Sequence, residues 1–361
     1  MVGRIKANYI VILLVIVASS AVVGYYATTR LRSGGGQIVW VQTSNPSRSF
    51  DIAYATAIDN TAIYVAGYDY SKNTYGEPSW RIEKRNLLDG TLVWTQATPN
   101  TSAGRIYDVA VGPSGIYLVG TTPQIPPPNG YYYDQEWIVE KRSLAGGALI
   151  WNQTTRIVTP GGAQANAVTA DSTGIYVAGM IVDSTGASLW RVEKRELTSG
   201  AIIWVEPGPS VVGAACSIAV DSSGVYVLGY EGRWSYSDYS SWRIEKISTT
   251  NGNLFWKTQM KTSTSSGNPA GIAVDATGLY IVGSDKGFRT EKRSLTDGIL
   301  QWVQTENIAT AVSSFDNQDH ARDVAADSSG VYIVGMDTIQ GSNNNCEWRI
   351  EKRTAGQEAP H

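Results

Sequence analysis

A short acidic segment near the C-terminus holds the residues best suited to chemistry. It reads FDNQDHARD and contains Asp316, Asp319, His320 and Asp323. A carboxylate beside an imidazole can exchange protons with a substrate or coordinate a metal ion. A solvated acidic loop is the simpler interpretation, because no second histidine lies nearby. These four residues are the candidate catalytic residues, and no metal site is predicted.

Aromatic side chains form a second group with functional potential. They lie in segments such as YDYSKNTYGEPS and YEGRWSYSDYSS, among serine and asparagine. Flat amphipathic rings suit stacking on sugars or gripping a polypeptide. The alternative is that the rings pack on neighbouring loops and cap the fold. The predicted ligand-binding residues are Tyr70, Tyr75, Tyr131, Tyr132, Tyr133, Trp234, Tyr236 and Tyr239.

Other kinds of site find little support. The sequence has no GxSxG, HExxH or phosphate-binding glycine loop, and its Asp-Ser-Ser-Gly turns lack the further carboxylates of a calcium loop. Its 29 basic residues against 32 acidic ones give a net charge of −3. Sixteen of those cations are spread over six copies of one hexapeptide. We therefore predict no nucleic-acid partner and no cofactor.

That hexapeptide marks an internal repeat. Copies recur at a mean spacing of about 54 residues and begin at Trp80, Trp137, Trp190, Trp242, Phe288 and Trp348. Two β-rich runs precede each copy, as in DVAVGPSGIYLVG, and a tryptophan-containing run such as DGTLVWTQ follows five of them. Four strand-sized segments joined by turn signals are typical of a propeller blade. The fold class predicted is all-β, a six-bladed β-propeller of four-stranded blades.

The two ends of the repeat region predict how the ring closes. The last copy stops at Arg353 without its tryptophan strand, whereas residues 38–43, IVWVQT, form such a strand with no unit before it. We expect this N-terminal strand to complete the sixth blade, which leaves no open sheet edge. The connections after the second and fourth strands of each blade then share one face of the disc. They are long and unequal, so this loop face is the candidate binding face.

The motif GIYVAG followed by EKRxLxxGxxxW resembles the repeats of the pyrroloquinoline-quinone-like and related bacterial and archaeal β-propeller families. The resemblance covers residues 37–353 and concerns architecture. It implies that one tryptophan per unit packs between blades. The quinone is not carried over, because the chain has six units and no adjacent cysteine pair. The matching residues are Trp40, Trp94, Trp151, Trp204, Trp256 and Trp302.

Alternation along a strand predicts what the hexapeptide does. One face would carry Trp80, Ile82 and Lys84, and the other an Arg-Glu-Arg ladder centred on Glu83. A motif present in every blade is expected of a joint between neighbours, so we favour a scaffold role. The alternative is a charged ring that binds anionic ligands.

The N-terminus predicts export. Residues 9–27 contain no charged residue and are long enough to span a bilayer. They divide the chain into a cytoplasmic tail (1–8), this anchor (9–27), a glycine-rich linker (28–36) and the propeller (37–361). A signal peptide cleaved after Ala21 is the alternative, and it would make the protein secreted. Sequons at Asn100 and Asn152 permit glycosylation.

Together these features predict a single-pass, membrane-tethered propeller outside the cytoplasm. It would act as a binding or scaffold module at the cell surface, with an envelope polysaccharide, glycoprotein or protein as its partner. An exported hydrolase or lyase that acts on glycans is one alternative. A structural subunit of a surface assembly, joined through blade edges, is another.

Overall fold

The computed structural model describes the strands and most of the short turns of the repeat region. The described residues are 42, 44, 52–69, 79–98, 104–122, 136–155, 162–207, 212–232, 241–262, 267–285, 287–306, 320–327, 330–338 and 346–353. They contain strands, turns and bends, and they include no helix that could cross a membrane. The predicted anchor at 9–27 and the linker at 28–36 lie outside these residues.

Twenty-three strands form six antiparallel sheets in chain order. The first three blades contain β1 (Ile52–Ile58), β2 (Ala62–Asp69), β3 (Ser79–Asn86), β4 (Leu92–Ala97); β5 (Ile106–Gly112), β6 (Gly115–Thr121), β7 (Trp137–Arg142), β8 (Leu149–Thr155); and β9 (Ala163–Ala170), β10 (Ile175–Val182), β11 (Ser188–Arg195), β12 (Ile202–Pro207). The last three contain β13 (Gly213–Asp221), β14 (Gly224–Glu231), β15 (Ser241–Ile247), β16 (Leu254–Lys261); β17 (Asn268–Asp275), β18 (Gly278–Ser284), β19 (Phe288–Arg293), β20 (Leu300–Glu306); and β21 (His320–Asp327), β22 (Gly330–Thr338), β23 (Cys346–Arg353).

The first strand of each sheet lies innermost, and from β1 to β21 each inner strand packs beside the next. The described residues form a six-bladed β-propeller, which confirms the predicted propeller architecture, whereas the hydrophobic helix expected before it lies outside the described residues. The sixth sheet has three described strands. Its predicted fourth strand, residues 38–43, lies outside the described residues except for Gln42.

Aspartate and glycine residues form the short turns on one face of the disc. In the third blade, Asp171 Oδ1 accepts hydrogen bonds from the backbone N–H groups of Thr173, at 2.6 Å, and Gly174, at 3.0 Å. Between β7 and β8, Gly147 has a φ of 70°. A Cβ there would lie 2.5 Å from the ring of Trp94 in the preceding blade. The glycine is needed both for the turn and for the tryptophan that packs beneath it.

The outer-strand tryptophans therefore lie where the resemblance implied. The rings of Trp151, Trp204 and Trp256 meet the equivalent turn glycine of the following blade in the same way. Such a contact repeats at successive junctions and packs one blade against the next. Trp40 lies outside the described residues.

The hexapeptide presents its apolar face to the following blade. In the second blade, Trp137 is fully buried, and its Nε1 donates a hydrogen bond to the carbonyl of Met180 in the third blade at 2.9 Å. Lys141 Nζ donates to the carbonyl of Leu197 in the third blade at 2.7 Å. Its ammonium also lies 5.8 Å from the centre of the Tyr117 ring. In four copies of the motif a buried tryptophan thus fills the junction and a lysine crosses it, at Lys84, Lys141, Lys194 and Lys246.

The other face of the hexapeptide carries the charged ladder and contacts the preceding blade. Glu193 is fully buried and accepts from Arg191 at 2.6 Å and from Arg195 at 2.8 Å. Arg195 Nη2 also donates to Thr155 Oγ1 in the second blade at 2.5 Å. The buried glutamate orients the arginines, and one of these arginines bonds to the neighbouring blade. These contacts support the scaffold interpretation of the motif.

Two described residues near the N-terminus make the contacts of an outer strand. Gln42 Nε2 donates to the carbonyl of Asp89 at 3.1 Å, as Gln96 Nε2 donates to the carbonyl of Gly146 at 2.9 Å. Ser44 Oγ donates to Glu83 Oε1 in the first blade at 3.2 Å. Gln42 therefore contacts the first blade as Gln96 contacts the second.

Candidate binding channel

A β-bulge at the same place in every inner strand builds the channel. The pairing of each inner strand with its neighbour skips one residue, so two consecutive side chains are turned away from the regular alternation. The bulges lie in the first half of the inner strands, next to the ends that follow the long connections. The skipped residues are Tyr54, Tyr107, Asn166, Cys216, Ala270 and Arg322.

These six residues, here called the bulge ring, line a cavity of about 730 Å³. The ring combines two phenols, an amide, a thiol, a methyl group and a guanidinium. The cavity continues between the sixth and first blades, where Val334, Arg349 and Ile350 contribute to its wall. A pocket of this size with few and varied polar groups is typical of small-ligand or side-chain recognition.

In two blades the residue after the bulge position ties neighbouring inner strands together. Asp108 Oδ1 accepts from its neighbour Val109 N–H, and its Oδ2 accepts from Val168 N–H in the third blade, each at 2.8 Å. Ser217 Oγ accepts from Ile272 N–H in the fifth blade at 3.3 Å. These bonds fix the positions of the inner strands, so the bulge-ring side chains are presented on a rigid wall.

Two carboxyl groups make the channel sensitive to protonation. Burial raises the pKa of Asp108 to about 7, although the N–H groups of Val168 and Val109 oppose the shift, and the nearby charge of Asp323 adds to it. Burial among the inner strands also raises the pKa of Asp323, whose Oδ1 accepts from Val324 N–H at 2.8 Å. The channel therefore carries less negative charge near neutral pH than its sequence suggests.

An aromatic pair marks one side of the channel. Tyr54 is 46% exposed, and its ring lies 5.5 Å from the ring of Tyr68, tilted by 38°. Asn166 contributes a polar group to the wall instead, and its Nδ2 donates a hydrogen bond to the carbonyl of Ala215 in the fourth blade at 2.7 Å. The wall thus offers both a flat apolar surface and fixed polar atoms to an occupant.

The predicted catalytic segment is only partly described. Asp316 and Asp319 lie outside the described residues, and His320 is the first residue of β21, with only its backbone described. Asp323 lines the channel one residue beyond the bulge residue Arg322. Among the described residues, no three His, Cys, Asp or Glu side chains are grouped to hold a metal ion.

All the predicted aromatic binding residues lie outside the described residues, and their role stays a prediction. The strand ends next to their segments lie on the same side of the disc as the bulge ring. Reasoning from the sequence missed Tyr54, Tyr107, Asn166 and Cys216. The available signal was variation: each precedes a small apolar run that hardly changes between repeats, yet the residue itself differs from most of its counterparts.

Comparison with known sequences identifies no family. No protein-family model matches the chain, and no curated protein sequence matches it. The class of protein is therefore defined by the fold, a six-bladed β-propeller with a channel of variable residues.

Solved structures agree with that class. The chain is similar to the quinohemoprotein alcohol dehydrogenase of Comamonas testosteroni, with a TM-score of 0.51 and 12% identity over 79% of this chain and 52% of that one. It is also similar to the WD40 repeats of RRP9, with a TM-score of 0.51 and 11% identity over 80% of this chain and 75% of that one. BamB from Moraxella catarrhalis has a TM-score of 0.43 and 11% identity over 80% and 83% of the two chains.

At these identities the similarities show the fold alone. They confirm the resemblance to propellers with pyrroloquinoline-quinone-type repeats as one of architecture. The chain spans about half the length of the dehydrogenase.

Proposed function

We propose that this propeller is a binding or scaffold module whose ligand enters the channel from the loop face. One observation carries the proposal: the repeats agree where blades join and differ where the channel is lined. The Lys141 contact to the next blade recurs at Lys194 and Lys246, whereas the bulge ring carries five residue types in six blades. A position that faces the open channel is free of the packing constraints of the junctions, so its side chain can be selected for contact with a ligand.

The finer proposal is a membrane-tethered module outside the cytoplasm with a glycan, glycoprotein or envelope protein as ligand. The support for the location is the uncharged segment at 9–27 followed by a glycine-rich linker. The support for the ligand class is chemical. Tyrosine faces such as Tyr54 and fixed amides such as Asn166 suit sugars and extended polypeptides.

A binding screen tests this proposal. Purified full-length chain in detergent would be incubated with envelope polysaccharides and envelope proteins from its source, and bound material would be eluted and weighed by mass spectrometry. We expect a ligand of unchanged mass, with retention weakened by changes in the bulge ring. A ligand of altered mass would instead establish the glycan-cleaving enzyme, with Asp323 and His320 as the first residues to replace.

A specific observation favours the assembly alternative as a second candidate. Each described outer strand has a bulge just after its turn, and in four blades it leaves two consecutive apolar side chains exposed by 42% to 58%. Exposed apolar pairs on sheet edges favour association. The pairs are Leu92 with Val93, Leu149 with Ile150, Ile202 with Ile203, and Leu254 with Phe255.

Light scattering separates the two candidates. A surface subunit would form large particles without ligand, and the triple change Val93→Thr, Ile150→Thr and Ile203→Thr would reduce them to single chains. A binding module would scatter as a single chain before and after the change. A matched triple change in the bulge ring would leave the particle size of an assembly subunit unaltered.

A further inference from the structure

One position in the outer strand links each blade to the next through an amide. It lies two residues after the strand's tryptophan. In four blades it is glutamine. In three of them its Nε2 donates to a carbonyl in the following turn at 2.9 to 3.1 Å. These bonds join Gln42 to Asp89, Gln96 to Gly146, and Gln153 to Ser199.

The third blade has glutamate at this position. Glu206 lies in β12, and the carbonyl equivalent to that of Ser199 belongs to Asn251 in the fourth blade. An ionised carboxylate has no hydrogen to donate to a carbonyl. Glu206 Oε2 is buried, and it has no hydrogen-bond partner among the residues that the structure describes. A buried oxygen in this state costs free energy unless the group is protonated or paired.

The fourth blade has one arginine fewer than the third blade on the strand face that meets the preceding blade. Its hexapeptide is WRIEKI, so Ile247 stands where the third blade has Arg195. Glu193 in the third blade is held by two arginines, whereas Glu245 in the fourth is bonded by Arg243. Glu206 therefore faces Glu245, which has one arginine partner on its own strand. At the junction between the second and third blades, the equivalent Glu193 has two.

The other charges around Glu206 are already engaged. On β15, Arg243 pairs with Glu231 as well as Glu245. Glu231 also accepts from Gln259 of β16. On β11, Lys194 Nζ donates to Thr173 Oγ1 and to the carbonyl of Thr249, at 3.0 and 2.8 Å.

The remaining charges of β11 lie on its opposite face, where Arg191 and Arg195 bind Glu193. Glu206 pairs with Val192 on the face that meets the fourth blade. The described elements packed against Glu206 thus supply one shared arginine, two carboxylates and the engaged Lys194. Lys257 of β16 is the cross-strand partner of Glu245.

We infer that Glu206 carries a proton in the folded protein near neutral pH and uses it to donate a hydrogen bond across the junction between the third and fourth blades. This junction is therefore tighter in acid than in mild alkali. A protonated glutamate has one O–H donor and a carbonyl acceptor, so it can make the single donor bond that glutamine makes in the other blades. Ionisation releases the proton to solvent and leaves two carboxylates facing each other.

The electrostatic surroundings support the inference. Burial and, to a smaller extent, the charge of Glu245 raise the pKa of Glu206 to about 7, and Arg243 opposes the shift. The folded value thus lies above the ordinary value of 4.5. Below pH 4.5 the carboxyl is protonated in both folded and unfolded chains. Between pH 4.5 and 7 the unfolded chain loses this proton while the folded chain keeps it, so stability falls across that interval, and the loss is complete above pH 7.

Thermal unfolding of the full chain between pH 5.5 and 8 tests this inference. We expect the wild-type Tm to fall by about 3 °C more over this interval than the Tm of Glu206→Gln. The variant is compatible with the fold, because glutamine occupies the position in four other blades. The matched control is Gln153→Glu, where Arg191 and Arg195 lie across the junction. It should not acquire the same loss at alkaline pH.

A local readout needs no variant. Amide hydrogen exchange, corrected for the intrinsic effect of pH, should quicken in 202–207 and 241–247 relative to the equivalent strands 149–155 and 188–195 as the pH rises. Identical pH profiles of Tm for wild type and Glu206→Gln would overturn the inference. So would equal pH dependence of exchange at the two junctions.

Discussion

The blade junctions and the bulge ring use the same repeat in opposite ways. At the junctions, Trp137, Trp190 and Trp242 are each buried, and each donates from Nε1 to a carbonyl of the next blade. In the ring, Tyr107 and Cys216 occupy equivalent places and share no chemistry. A junction must fit its neighbour in every blade, whereas a ring position faces open space. The repeat is therefore constrained where it packs and free to vary where it lines the channel.

The third and fourth blades show what happens when the junction itself changes. Glutamate replaces glutamine at Glu206, and isoleucine replaces arginine at Ile247. The packing core of that junction nevertheless persists, since Trp190, Val192 and Ile247 belong to one buried cluster. Apolar packing thus maintains the junction while its polar contacts are altered.

The strongest test of the junctions is the removal of a buried ring. Trp137→Ala should lower the free energy of unfolding by about 3 to 5 kcal/mol, because it opens a cavity and leaves the Met180 carbonyl without its donor. Denaturant titration measures the change. Ligand retention by the folded fraction should be unaltered. A loss of less than about 1 kcal/mol would show that the junction repacks around the missing ring.

The charged ladder should have a smaller but clear effect. Glu83→Ala leaves Arg81 and Arg85 without their carboxylate, and we expect a loss of roughly 2 to 3 kcal/mol at pH 7. Burial raises the pKa of Glu83, but hydrogen bonds from Arg81 and Arg85 outweigh it and hold the pKa below its ordinary value. The stabilisation is thus present above pH 4.5 and disappears as the pH falls through the lowered pKa.

Acid titration of stability checks this sign. Wild type and Glu83→Ala should converge at low pH and separate above pH 4.5. This is the reverse of the Glu206 junction, which loses stability as the pH rises. A difference between the two chains that stays constant from pH 3 to 8 would show that lost packing, rather than the ion pairs, accounts for the change.

Ring closure gives a third test of the junctions. We predict that residues 38–43 act as the fourth strand of the sixth blade, with Gln42 in the place that Gln96 takes in the first. Gln42→Ala and Gln96→Ala should then lower stability by a similar amount, about 1 kcal/mol each. Chemical denaturation of both variants measures this. If only Gln96→Ala has an effect, the N-terminal segment does not hold the ring.

The sequence was sufficient for the fold and insufficient for the site, for a physical reason. Hexapeptides recurring about every 54 residues reveal the blades, because burial restricts residues such as Trp80 and Glu83 to few types. The bulge ring has no such restriction. A bulge is also a shift in strand pairing, and only the pairing of Ala53 and Ala55 with the second strand shows that Tyr54 is skipped.

The charged contacts in the junctions were likewise only partly predictable from the sequence. The alternation of WRIEKR correctly predicted two faces, but it did not predict which blade each face meets. It also gave no sign that Glu206 would face Glu245, since the two residues lie 39 positions apart. Pairings between blades depend on the radial packing of the ring, which the pattern within one strand does not contain.

The smallest expected change in stability, and the sharpest test of the comparison, lies in the ring. Tyr54 is 46% exposed, so Tyr54→Ala should alter the free energy of unfolding by less than about 1 kcal/mol. If its ring contacts the ligand, affinity should fall by roughly tenfold or more, since an aromatic contact contributes about 1 kcal/mol beyond the area that it buries. Val93→Ala is the matched control, because it removes an exposed apolar side chain on the outer strand. Equal retention of the screened ligand by both variants would exclude Tyr54 from the site. A loss of retention confined to Tyr54→Ala would show that Tyr54 recognises the ligand, in contrast to the residues that hold the blades together.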